Sequence, residues 1–192
     1  MKVYDISQEV FSCKVYPGDP CPEKQRLFST ERGDLYNLTA FSMCAHNGTH
    51  IDAPFHFFGE GRTVEQLPLD AFVGPCYVAH HSGDVTASDA SRILQKAEGA
   101  GRILIAGLAT VTAEAAREFA AGGICLLGNE SQSVGPENAP MQVHKILLGK
   151  NIYLLEGVVL KDVAEGKYIL SAAPLCLSGA DGAPCRACLI EL

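Results

Sequence analysis

Arg102-Ile103-Leu104-Ile105-Ala106-Gly107-Leu108, then Thr112 to Ala121, Gly122-Gly123 and Ile124-Cys125-Leu126-Leu127, is the passage that decides the fold. The first run is short and apolar after its arginine, as in a strand buried on both faces. Thr112 stands where an N-cap belongs, and the stretch after it stops at paired glycines, so a helix over 112–121 is expected. The third run reads as a second buried strand. Strand, helix and strand in succession imply a parallel pair with a right-handed crossover.

Working outward, Val3 to Ile6 is a short strand leading to the turn-rich Tyr16-Pro17-Gly18-Asp19-Pro20. Leu35 to Ala45 is β-rich and is expected to run straight into the segment after it. Cys76 to His80, Asn151 to Leu155 and Ala187 to Ile190 read as further strands. Thr86-x-x-Asp89 predicts a capping box for a helix to about Glu98, with Ile93 and Leu94 facing inward. No linker, repeat or low-complexity segment interrupts this order, so residues 1–192 are expected to form a single mixed α/β domain.

Apolar residues make up 47% and charged ones 19%, which excludes disorder. The net charge of −7 disfavours nucleic acid or an anionic membrane as partner. No window approaches the roughly 18 apolar residues of a membrane span. The opening Met1-Lys2-Val3-Tyr4-Asp5 lacks a signal-peptide core, so a cytoplasmic protein is expected. Disulfides are then not expected among the eight cysteines. Cys44, Cys76, Cys125 and Cys176 lie in apolar runs and are expected to be buried thiols. Cys185-Arg186-Ala187-Cys188 has C-x-x-C spacing without a second pair, in what reads as a strand.

The chemistry concentrates at His46-Asn47-Gly48-Thr49-His50-Ile51-Asp52-Ala53-Pro54-Phe55-His56. His46, His50, Asp52 and His56 share parity, so an extended chain would show them on one face. His50 and Asp52 would lie about 7 Å apart, close enough to share an ion, but His46 and His56 would be roughly 33 Å apart on a straight strand. Convergence needs bends, and Gly48 and Pro54 stand where a strand can break. Glu156 is one carboxylate inside Ile152-Tyr153-Leu154-Leu155-Glu156-Gly157-Val158-Val159-Leu160. A buried, unpaired carboxylate costs several kcal/mol, so a cation is its expected partner. His144 precedes Ile146-Leu147-Leu148 and is the sixth candidate ligand. Six nitrogen and oxygen donors suit one open site or two ions sharing carboxylates.

His46-x-Gly48-Thr49-His50-x-Asp52-x-Pro54-x-His56 resembles the signature of the metal-dependent cyclase family, which includes kynurenine formamidase-like and isatin hydrolase-like enzymes. The similarity extends to Asp5-Ile6-Ser7, Pro17-Gly18-Asp19, Leu69 to Gly74, His144 to Glu156, and Gly179-Ala180-Asp181-Gly182-x-Pro184-x-Arg186. The resemblance implies a compact β/α domain of the swivelling β/β/α type, assembled as a homodimer or higher oligomer. It implies that His46, His50 and Asp52 bind one metal and His144 a second, that Asp52 and Glu156 bridge them, and that His56 is the proton donor/acceptor. Two divalent ions per chain are expected, Zn²⁺ or Mn²⁺, between which such donors do not discriminate.

Water activated by such an ion, with a proton delivered to the leaving nitrogen by His56, would hydrolyse a small amide, formamide or lactam. Imidazole suits the second task because it exists in both protonation states near neutrality. Lactone hydrolysis, a lyase or cyclising reaction on a small carboxylic acid, and non-catalytic metal binding are the alternatives. No Gly-x-Ser-x-Gly elbow supports a serine hydrolase. Tyr16 stands where the formamidases carry a substrate-lining tryptophan, a residue type this chain lacks, and is the expected substrate-binding aromatic. Gly128-Asn129-Glu130-Ser131-Gln132-Ser133 carries glutamate where the family has aspartate.

Overall fold

Strands with no solvent face need cover on both sides, and the computed structural model, which describes residues 1–191, shows how they obtain it. In chain order, β1 (Lys2–Asp5) leads to β2 (Glu23–Phe28) and β3 (Leu38–Ser42), which pair only with each other as an antiparallel hairpin. β4 (His50–Asp52) is followed by β5 (Val73–His80), β6 (Gly83–Val85), α1 (Ala87–Ala97), β7 (Arg102–Ala106), β8 (Ala109–Val111), α2 (Ala113–Ala121) and β9 (Leu126–Asn129). α3 (Met141–Leu148), β10 (Tyr153–Glu156), β11 (Gly166–Ser171), β12 (Gly182–Pro184) and β13 (Cys188–Glu191) complete the chain.

Nine strands form one sheet in the order β1-β13-β11-β5-β7-β9-β10-β4-β12. Its centre, β5-β7-β9-β10, is parallel, and both flanks are antiparallel. β7 and β9 are the parallel pair expected from the opening passage, with α2 between them. Thr86 and Thr112 cap α1 and α2 through their side chains, and Gly122 ends α2. On one face Tyr77, Ala79, Ile103, Ile105, Leu127 and Leu154 pack against the helices. Alternate residues Cys76, Val78, Leu104, Leu126 and Leu155 enter a second core on the other face. That core also takes Ile6 and Leu189 from one flank and Ile51 and Ala183 from the other, so the sheet curls until its edges meet. Gln8 N–H donates to Thr49 Oγ1 (2.9 Å) at the meeting point.

Several expectations are corrected. Leu35 to Ala45 does not run straight into the histidine segment: only Leu38–Ser42 is a strand, it belongs to the hairpin, and a turn closed by Asn47 N–H to Cys44 O (3.2 Å) intervenes. Cys76 is buried as expected, but Cys44 and Cys125 are half-buried and Cys176 is exposed. Cys185 lies between β12 and β13 rather than in a strand with Cys188, and all eight cysteines are free. Among the described residues no helix is long and apolar enough to cross a membrane.

Candidate metal centre

The centre is built on β4, and its register explains most of it. β4 pairs with β10 so that His50 faces Glu156 and Asp52 faces Leu154. Alternation then puts His50, Asp52 and Glu156 on the helix-covered face, while Ile51 and Leu155 enter the opposite core. α3 lies over that face and carries His144, whose Nδ1–H donates to Pro140 O (2.8 Å) and whose Nε2 points to Glu156 Oε1 (3.2 Å). All four are buried: His50 1%, Asp52 1%, His144 3% and Glu156 2% exposed.

The expected bends exist. Gly48 has φ +68°, where a side chain would be strained, and turns the chain between His46 and His50. Pro54 opens a 3-10 turn ending at His56. His46 Nδ1 thereby lies 2.9 Å from Asp52 Oδ1. His56 lies 125 residues from Asp181 in sequence yet 2.9 Å from it in space, Nδ1 to Oδ2. All of the expected ligands, and His56, are thus brought together.

Asp52 divides its oxygens between two sides. Oδ1 faces His46 and His50 (2.9 and 3.5 Å) and Oδ2 faces His144 (3.5 Å). Glu156 does likewise: Oε1 faces His144 and accepts Val134 N–H (2.7 Å), and Oε2 is 3.5 Å from His50 Nε2. His50 Nε2 and Asp52 Oδ2 are buried with no hydrogen-bond partner. Buried polar atoms are rarely left so. A 3.5 Å gap between such atoms suits ligands of one ion, for which metal–nitrogen and metal–oxygen distances are about 2.0–2.2 Å. His50, Asp52 and Glu156 form one such group, and His46, Asp52 and His56 another.

Electrostatics agree. Burial opposes charge on His46, but Asp181 and Asp52 raise its pKa to about 11; Asp52 and Glu156 likewise raise the pKa of buried His50 to about 9. Against the same burial, Glu156 and Asp52 raise His144 to about 9. Burial pushes Asp52 and Glu156 up, yet the imidazoles hold both below the ordinary carboxylate value. Imidazole nitrogens and carboxylate oxygens in this arrangement fit a divalent metal ion.

Above the centre is a cavity of about 210 Å³ walled by Tyr16, Phe57, Gln132, Ser133 and Pro140, with His56 at its edge. Tyr16 Oη–H donates to Glu137 O (2.9 Å), which fixes its ring. Of the phenylalanines beside His56, Phe57 lines the cavity, Phe55 is exposed, and Phe58 packs against the helix-side core. Glu130 stays outside the cluster, accepting Gly107 N–H (2.6 Å) and Leu160 N–H (2.8 Å). Sequence reading assigned no role to Gln132, Ser133 or Asp181. Gln132 and Ser133 line the wall, and Gln132 Oε1 and Ser133 Oγ are buried there without partners. Only their adjacency in one loop hinted at this.

These groups can hold one metal ion or two, and comparison with known proteins agrees in kind. The chain belongs to the cyclase family, whose description, putative cyclase, matches residues 4–135. It is 33% identical over 208 residues to a kynurenine formamidase of Erythrobacter litoralis, covering 100% of this chain and 94% of that protein. A solved structure described as a potential metal-dependent hydrolase with cyclase activity has a TM-score of 0.83 at 30% identity, covering 98% of this chain and 96% of its own. Isatin hydrolase A from Labrenzia aggregata, bound to benzyl benzoate, has a TM-score of 0.82 at 22% identity, covering 100% and 94%, which shows a shared fold.

Proposed function

We propose that this protein is a metal-dependent hydrolase that cleaves the C–N bond of a small amide, formamide or lactam. The carrying observation is the pair of buried, unpartnered atoms, His50 Nε2 and Asp52 Oδ2, inside a cluster of imidazoles and carboxylates. The names of the relatives support the reaction class. In this reading His46, His50 and Asp52 would hold one ion and His144 a second, with Asp52 and Glu156 contributing to both. A bound Zn²⁺ or Mn²⁺ supplies Lewis acidity, polarising a carbonyl and lowering the pKa of water from about 15.7 to about 7. His56 takes the proton from the attacking water and gives it to the departing nitrogen as the C–N bond breaks. Tyr16 and Phe57 exclude water from an aromatic or planar substrate, and Gln132 and Ser133 offer it hydrogen bonds. Tyr16 in place of the formamidases' tryptophan makes a different wall, so the proposal names a bond class rather than one formamide. A homodimer or higher oligomer belongs to the same proposal. A cytoplasmic location does too.

Metal analysis of the purified protein, then a screen of formamides, lactams and lactones before and after chelation, tests the reading. At least one equivalent of metal and chelator-sensitive formamide or lactam hydrolysis are expected. Chelation should also lower the melting temperature, since an ion bound only by the folded state stabilises it. Activity confined to lactones would give the bond class to the alternative, and full activity without metal would refute the proposal.

A further inference from the structure

We infer that Asp181 is a positioning residue for proton transfer: one oxygen of its carboxylate holds the His56 ring by Nδ1, leaving Nε2 to work in the cavity. The inference rests on the hydrolytic reading above and adds a residue to it.

Oδ2 of Asp181 lies 2.9 Å from His56 Nδ1 and 2.9 Å from His46 Nε2. The two rings it joins are 4.1 Å apart at their centroids and inclined by 35°. A carboxylate oxygen only accepts, so both contacting nitrogens must carry hydrogen. For His56 this fixes the Nδ1–H tautomer and leaves Nε2 free to accept and donate. His46 is held in the same way from both sides, its Nδ1 lying 2.9 Å from Asp52 Oδ1, so an ion bound at Nδ1 would take the place of that proton. A ligating histidine typically donates its other N–H to a carboxylate in this way.

Asp181 can position these rings because its backbone is itself tied to β4. Ala53 N–H donates to Asp181 O (2.9 Å), and Gly182 pairs with Asp52. A Cβ on Gly182 would come within 2.7 Å of His46 Cε1, so this segment is shaped around the His46 ring. His56 needs such an anchor: its side chain is 29% exposed and ends a single 3-10 turn. Phe57, edge-on at 4.6 Å, limits the ring on a second side. Asp181 is 41% exposed at its side chain and brings the same oxygen to both rings.

The test compares the zinc-loaded parent with Asp181→Ala and Asp181→Asn. Zinc content, imidazole ¹⁵N NMR, and kcat and KM on a formanilide and on a nitrophenyl ester are measured. In the parent, His56 should show Nδ1 protonated; in Asp181→Ala its tautomers should mix while zinc is retained. Formanilide kcat should fall about 10–100-fold, the usual effect of losing such a partner, with KM little changed. The ester should lose far less, because its leaving group needs little protonation. Asp181→Asn, whose amide oxygen accepts the same bonds, should recover part of the loss. An unchanged His56 spectrum in Asp181→Ala overturns the inference, as does a rate loss matched by lost zinc. Should the parent hydrolyse neither substrate, the substrate screen above decides the hydrolytic reading, and the tautomer measurement decides the role of Asp181.

Discussion

At the residue scale, a carboxylate with two imidazoles against one oxygen and a third against the other, as Asp52 has, needs compensating positive charge. Removing it leaves buried imidazoles unpaired, and breaking a buried pair typically costs about 3–5 kcal/mol. Asp52→Ala is therefore expected to melt lower even without metal and to show no stabilisation when metal is added. Elemental analysis and thermal melts check this, and full occupancy in the variant would remove Asp52 from the ligand set. His56→Ala separates two roles that geometry permits. As a proton shuttle it should keep its metal and lose roughly 10²–10⁴-fold in rate, most for poor leaving groups. If His56 is a ligand, metal affinity falls and added metal restores activity. That His46, His50, Asp52, His56 and Glu156 belong together was legible because parity, the bends at Gly48 and Pro54, and a lone carboxylate in an apolar run each demand explanation; His144 joined them only through the family resemblance. Asp181 was not legible as a site residue, since nothing local links it to a histidine 125 positions away.

At the scale of elements, what joins them is a set of pairings that periodicity does not announce. The buried runs and both threonine-capped helices were legible because composition and caps coincide there. α3 was not: it has eight residues, no side-chain cap, and Pro140 at its N-cap. β12 is Gly-Ala-Pro, with little β-propensity, and exists because β4 offers it a partner. Glu165 shows how a loop residue can join elements. Its carboxylate accepts Lys96 Nζ–H of α1 (2.7 Å), and His80 N–H (3.2 Å) and Tyr77 Oη–H (2.9 Å) of β5. With Lys96 the main cause, its pKa falls from 4.5 to about 2. A depressed carboxylate pKa stabilises the fold above the unfolded value, and that contribution is lost as pH falls through the folded one. Glu165→Gln should therefore melt below the parent at pH 7, with the difference shrinking from about pH 4.5 downward and vanishing near pH 2. Melts across that range check it, and a pH-independent difference would assign the effect to lost hydrogen bonds.

For the whole molecule, the curled sheet explains why so much is buried, and the hairpin is the exception. Every residue of β2 and β3 is exposed, including Leu27 (42%), Phe28 (41%), Leu38 (40%) and Phe41 (60%), with Leu35 (96%) and Tyr36 (55%) beside them. A lone two-stranded hairpin is marginally stable in water, and clustered exposed apolar side chains mark an interaction surface. A second copy of the chain is the occupant that the proposed oligomer supplies. Sedimentation should then give at least twice the 20.4 kDa chain mass. Replacing Phe28 and Leu35 with aspartate should lower the mass toward one chain, because each new charge would have to be buried unpaired at the contact. Metal content should survive, since the hairpin contributes none of the proposed ligands. A parent that sediments as a single chain refutes the assembly, and a double variant that stays assembled places the contact elsewhere on the surface.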